Sequence, residues 1–201
     1  MFVQVIEGKV KDQAGFEKSL DRWLDELSPG ADGWLGTTAG KHGDNSFIAL
    51  ARFKSAEAAS RNSDRPEQGE WWSEASSYLD GEASFENFDD VIVMGPGGSD
   101  DAGFVQIMRG HVADVEKERE MAAKMSSMPN DFRPDIIGAV ECLKEDGSFV
   151  MAMYFTSEAE ARVGEKKPMP PEMQELLEEG QSNTTDITFI DLTEPIFQTP
   201  R

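Results

Sequence analysis

Phe2-Val3-Gln4-Val5-Ile6-Glu7-Gly8-Lys9-Val10-Lys11-Asp12 recurs as Phe104-Val105-Gln106-Ile107-Met108-Arg109-Gly110-His111-Val112-Ala113-Asp114, a shift of 102 positions. The same shift, with no gap, pairs Gly36 with Gly138, Phe47 with Phe149, Phe53 with Phe155, Ser55 with Ser157 and Ala59 with Ala161. A register held over about sixty residues marks one unit, written twice and fused. Two like units on one chain are expected to supply each other with the interface that a homodimer makes between separate chains. The boundaries expected are a first unit at 1–95, a linker at 96–102 rich in Gly and Asp, and a second unit at 103–201.

Each copy carries the same order of elements. Residues 2–10 are dense in β-branched and aromatic side chains and predict a strand. Asp12 then caps a helix whose apolar residues, Phe16, Leu20, Trp23, Leu24 and Leu27, fall on one 3.6-residue stripe. Strands are predicted at 34–39 and 46–53, a short alanine-rich helix after Ser55, and a second helix opened by Asp64, Pro66 and Glu67. A last strand is expected at 84–93. In the second copy the strands fall at 103–112, 135–143, 147–155 and 186–193, with helices near 114–128, 157–163 and 171–179 and Gly180 closing the last. The order β-α-β-β-α-β is the ferredoxin-like arrangement of an α+β protein.

Phe149-Val150-Met151-Ala152-Met153-Tyr154-Phe155 does not alternate between apolar and polar, and neither does Ile48-Ala49-Leu50-Ala51. An antiparallel sheet with helices on one face and water on the other would alternate. Both faces of these strands are therefore expected to be buried. The two sheets would then pack face to face, as in a barrel formed by a pseudo-dimer.

With 39 acidic and 19 basic residues the net charge is −20. No basic stripe offsets it, which argues against nucleic acid and against an anionic membrane surface as partners. The single cysteine, Cys142, excludes an intramolecular disulfide and lies in a predicted strand as a small core residue. The N-terminal stretch lacks a charged region and a cleavage site, and the longest apolar run, 149–155, is too short to span a bilayer. A cytoplasmic location is expected. His42 and His111 are not equivalent in the repeat, and no His/Glu pair recurs at metal-ligand spacing, so no metal is expected.

The stretch Phe53-Lys54-Ser55-Ala56-Glu57-Ala58-Ala59-Ser60-Arg61-Asn62-Ser63-Asp64-Arg65-Pro66-Glu67-Gln68-Gly69-Glu70-Trp71-Trp72 narrows the reading. Its strand, short alanine-rich helix and Trp-bearing second helix resemble the antibiotic biosynthesis monooxygenase domain family of the dimeric α+β barrel superfamily, here in tandem. The resemblance implies a pocket between sheet and helices and, in the characterised monooxygenases, oxidation of polycyclic aromatic compounds by O₂ without metal or flavin. It implies polar and aromatic contributors at Asn62 and at Trp71 or Trp72. The superfamily's haem-degrading branch uses an Asn on the first strand and a His near the second helix. Here Gln4 and Gln106 occupy the first strands and neither second helix holds His.

The candidate site residues follow, each with a structural role beside the functional one. Asn62 and Trp72 are the candidates for the reaction itself. Asn62 also suits a helix end and Trp72 the edge of an apolar stripe. Gln4, Trp34, Arg65, Trp71, Tyr78 and Gln106 are candidates for holding substrate. As structural residues, Gln4 and Gln106 are buried amides that need partners, Trp71 and Tyr78 are core, and Arg65 belongs to a turn. The second copy has Gly164-Glu165-Lys166-Lys167-Pro168-Met169-Pro170 in place of 62–68 and Met173-Gln174 in place of the Trp pair, so the pocket is expected mainly in the first unit. Two functions stand: a cofactor-independent monooxygenase of an aromatic or polycyclic small molecule, or a non-catalytic α+β barrel protein that binds a small hydrophobic ligand or serves in stress. A monomeric pseudo-dimer, or a homo-oligomer of it, is the expected assembly.

Overall fold

The computed structural model describes residues 1–127, 132–168 and 170–200. The chain forms two compact units, one made of 1–89 with 196–201, the other of 90–195.

In the first unit β1 (Phe2–Lys9) leads to α1 (Gln13–Arg22), where Asp12 accepts a hydrogen bond from the Gly15 amide. The helix continues as a π turn at Trp23–Leu27 and a 3₁₀ turn at Ser28–Gly30. There follow β2 (Trp34–His42), β3 (Ser46–Phe53), α2 (Ala56–Ser63), α3 (Pro66–Ser77) and β4 (Ser84–Phe88). The second unit opens with β5 (Asp90–Met94) and β6 (Phe104–Val112), then α4 (Val115–Ser127), β7 (Ile136–Leu143) and β8 (Ser148–Phe155). It ends with α5 (Glu158–Gly164), α6 (Pro171–Asn183) and β9 (Thr184–Leu192). A three-residue strand, β10 (Ile196–Gln198), returns to the first unit.

Both sheets are antiparallel, in the orders β10-β2-β3-β1-β4 and β5-β7-β8-β6-β9. The repeat is kept down to the register. Phe2 faces Phe53 as Phe104 faces Phe155, and each copy has a bulge, at Trp34/Gly36 and at Ile136/Gly138. Both faces of the first sheet are buried, as the missing alternation predicts. Val3, Val5, Ile48 and Leu50 on one face are no more than 1% exposed, and Phe2, Phe47, Ala49 and Phe53 are buried on the helix face.

Three expectations change. The strand expected at 84–93 is two strands of different sheets: β4 pairs with β1 and β5 with β7. Its apolar pattern is strand-like throughout, so the pattern is blind to which sheet each part joins. The compact units and the sequence copies are consequently not coextensive. Asp64 does not open α3; it ends α2, and Arg65 precedes Pro66 without a side-chain cap. Gly180 does not stop α6, which runs on to Asn183. A Cβ there would lie 2.8 Å from Met121 Cε, the far end of a flexible side chain. Residue 128, the expected end of the first helix of the second copy, lies outside the described residues.

Gly147 turns β7 into β8 at φ +88°, and a Cβ would sit 2.2 Å from the Val112 carbonyl oxygen. Backbone cannot swing aside as a side chain can. Gly147→Ala is expected to cost about 2 kcal/mol in urea unfolding, from the left-handed backbone and the clash together.

Candidate functional site

The π turn after α1 rotates the helix so that Trp23 and Leu27 both point inward. Trp23 meets Trp34, at the start of β2, edge to face with ring centroids 4.7 Å apart. It also lies 6.2 Å from Trp71 of α3. Trp71 lies 5.8 Å from Trp72, and Trp72 packs edge-on against Phe85 of β4 at 5.2 Å. These rings run from the interior to the surface, where Phe85 is exposed. Such tilted and edge-on contacts are the favoured aromatic geometries.

A cavity of about 100 Å³ lies among them, between the helices and the sheet of the first unit. Trp23, Trp34, Trp71 and Trp72 all line it, and these are the four tryptophans of the chain. Three indole N–H groups are spent on the wall. Trp23 donates to Gln68 Oε1 at 2.7 Å, Trp34 to Thr37 Oγ1 at 3.1 Å and Trp71 to the Ser19 carbonyl at 2.7 Å.

Four carboxamides, Gln4, Asn62, Gln68 and Gln198, line the same space, and the orientation of Asn62 and Gln68 is fixed by donors to their oxygens. Asn62 is buried, and its Oδ1 accepts from Arg65 Nη1 at 2.9 Å. Arg65 in turn donates to the Leu27 carbonyl from Nη1 and Nη2, both at 3.1 Å. Guanidinium and indole N–H are donors only, so the oxygens of Asn62 and Gln68 must face them. Among the described residues neither Asn62 Nδ2 nor Gln68 Nε2 has a protein partner. Both –NH₂ groups remain for whatever enters. The lining includes no ionisable side chain.

The residues singled out in the sequence are thus partly brought together. Gln4, Trp34, Asn62, Trp71 and Trp72 line the cavity. Gln4 donates to Asn87 of β4 at 3.0 Å. Arg65 is outside it and positions Asn62. Tyr78 is outside it too: its ring lies over Gly15 and its hydroxyl lies 3.4 Å from Glu74 Oε1. Gln106 belongs to the second unit and donates to Asp191. Trp23, Gln68, Thr37 and Gln198 are lining residues that sequence reasoning did not single out as site residues. Gln68 stands three and four positions before the Trp pair, a helical spacing that places it on their face. Gln198 carries no local signal at all, because β10 reaches the first sheet from the end of the second copy.

In the second unit larger side chains take the equivalent positions. Met151 and Met153 stand where Ala49 and Ala51 do, and Glu141 stands for Ala39. Gly164 replaces Asn62, and the Arg133 guanidinium lies 2.4 Å from where its Cβ would be. Arg133 is held there by Asp135 and by the Phe155 ring, 5.8 Å from its centroid. Cys142 is fully buried, and burial pushes its thiol up to about 12, so it is a core residue and no nucleophile.

No family model and no curated protein matches the chain. Solved structures do. A candidate monooxygenase from Fusobacterium nucleatum subsp. nucleatum ATCC 25586 superposes with a TM-score of 0.76 at 8% identity, over 98% of this chain and 94% of that one. A second, from Lactobacillus acidophilus NCFM, gives 0.72 at 12% identity over the same shares. An anthrone oxidase-like protein gives 0.58 at 7% identity, over 98% of this chain and 93% of that one. At such identities the likeness is one of fold. The chain has the fold of these solved structures, α+β units in tandem, as the resemblance to the antibiotic biosynthesis monooxygenase domain family implies. Among the described residues no helix is long and apolar enough to cross a membrane.

Proposed function

We propose that the first unit binds a flat aromatic molecule as its phenolate or enolate and oxygenates it with O₂, without a cofactor. One observation carries this reading: the chain gathers every tryptophan it has around one uncharged cavity and lines it with Asn62 and Gln68, whose oxygens are engaged and whose –NH₂ groups have no protein partner among the described residues. The indoles exclude water and stack on the ring. The two N–H donors stabilise a negative oxygen, more strongly in this dry site than they would in water. An electron-rich anion held there gives its electrons to O₂. One oxygen atom becomes a new carbonyl on the ring carbon that loses two hydrogens, and the other leaves as water. No base lines the cavity, so the proton leaves to solvent as the substrate binds.

The same lack of ionisable lining residues favours a second reading, a binder of hydrophobic ligands without turnover. Oxygen-electrode assays with anthrone and related phenols separate the two. Oxygen uptake that depends on Asn62 supports the enzyme; binding without uptake supports the binder.

Gln68→Glu tests the donor pair. The carboxylate still accepts from Trp23 Nε1, and only the –NH₂ group is lost. Affinity for 2-naphtholate is expected to fall about tenfold or more, roughly the worth of a charge-assisted hydrogen bond, while that for naphthalene stays within about threefold. Quenching of tryptophan fluorescence reads both, because every tryptophan of the chain lines the site.

A further inference from the structure

The cavity is small. About 100 Å³ accommodates about one ring, whereas pockets for multi-ring ligands run to roughly 300 Å³ and above. A second hollow of about 40 Å³ adjoins it, and the two share Phe16, Leu20, Thr37, Phe47, Ala49 and Gln198 as lining. A ligand longer than one ring must occupy both. Most of the shared lining belongs to α1 and to long central strands. Gln198 does not.

Gln198 and Ile196 stand on β10, whose three residues pair with Thr37, Thr38 and Ala39 of β2. Gln198 sits opposite Thr37 and Ile196 opposite Ala39, on the helix face of the sheet. The Gln198 side chain crosses to α1 and donates to the Leu20 carbonyl at 3.0 Å. That bond ties the sheet edge to the helix over the seam between the hollows. β10 is the shortest strand of either sheet, it has a neighbour on one side only, and Pro195 before it offers no N–H. Short edge segments with few backbone bonds open at far lower free energy than central strands.

We infer that β10, latched by Gln198 to α1, is a movable wall that decides how long an aromatic ligand the site admits. This rests on the reading of the cavity as an aromatic pocket. A single ring fits with the latch closed. A tricyclic ligand joins the two hollows only when Gln198 leaves Leu20 and β10 shifts outward.

The test uses the full chain under nitrogen, so that binding is measured without turnover, with phenol and anthrone as probes. Amides of 197–198 in the free protein are expected to exchange about a hundredfold faster than those of 48–52, and saturating anthrone, unlike phenol, is expected to speed them further. Gln198→Ala, and Ile196→Ala as the variant that keeps the latch, are expected to tighten anthrone about tenfold and about threefold while leaving phenol within about threefold. Protection at 197–198 equal to that at 48–52, or anthrone affinity unmoved in both variants, overturns the movable wall alone. Failure of both probes to bind any form overturns the pocket reading, and the wall with it.

Discussion

Glu141→Gln is expected to stabilise the protein increasingly as pH rises from 5 to 9, and to flatten its pH–stability curve. Glu141 lies on β7 at 1% exposure, and its Oε2 has no hydrogen-bond partner. Burial, reinforced by Glu118 on α4 and Asp90 on β5, raises its pKa from 4.5 to about 8. Asp90 is itself paired with Arg119 and Glu118 accepts from Asn183, so those cations and donors are already engaged. The folded chain thus holds a proton that the unfolded chain releases near 4.5. Stability from this group is fully present below that pH, declines through neutrality and is gone above about 8. The interval corresponds to a loss on the order of 5 kcal/mol. Glutamine keeps the shape and cannot ionise. Urea unfolding at pH 5, 7 and 9 checks this: wild type and variant should be close at pH 5 and several kcal/mol apart at pH 9, and parallel curves would refute it.

Trp71 and Trp72 are expected to separate stability from binding. Trp71 is 7% exposed, donates to Ser19 and packs against Trp23 within the core formed by Phe2, Leu27, Trp34 and Phe53. Trp71→Ala removes a large buried ring and its hydrogen bond to the Ser19 carbonyl, at a cost of about 3–5 kcal/mol. Trp72 is half-buried, and its ring bridges Trp71 and the exposed Phe85. Trp72→Ala should cost about 1.5 kcal/mol or less in urea unfolding and yet weaken 2-naphtholate about tenfold, by removing one stacking wall. Equal losses of stability in the two variants would show that Trp72 is core and not site.

The fold was legible because a duplicated register repeats every constraint. One set of apolar positions is ambiguous; two sets in step at Phe2/Phe104, Phe47/Phe149 and Phe53/Phe155 are not. What stayed hidden involves long-range partners. Nothing local in Ser84–Met94 tells that Phe88 faces one sheet and Val91 another, since strand propensity is the same for both. Five of the eight proposed site residues do line one cavity, because helix spacing and strand alternation place Gln4, Trp34, Asn62, Trp71 and Trp72 on inward faces. Arg65 shows the limit. Its position predicts nearness to the site, but only coordinates show that it spends its donors on Leu27 and Asn62. Gln198 lies 136 positions from Asn62 and was beyond any pattern.

The return of Ile196–Gln198 to the first sheet bears on biosynthesis. A ribosome delivers residues 1–89 early, yet the β2 edge of that sheet waits uncovered until the whole of 90–195 has emerged. Severing the chain between the sequence copies would strand β5 with one fragment and β10 with the other, each parted from the sheet it completes. Fragments meant to reproduce a single unit would have to be cut at Asp89 and Pro195, with the closing peptide supplied in trans.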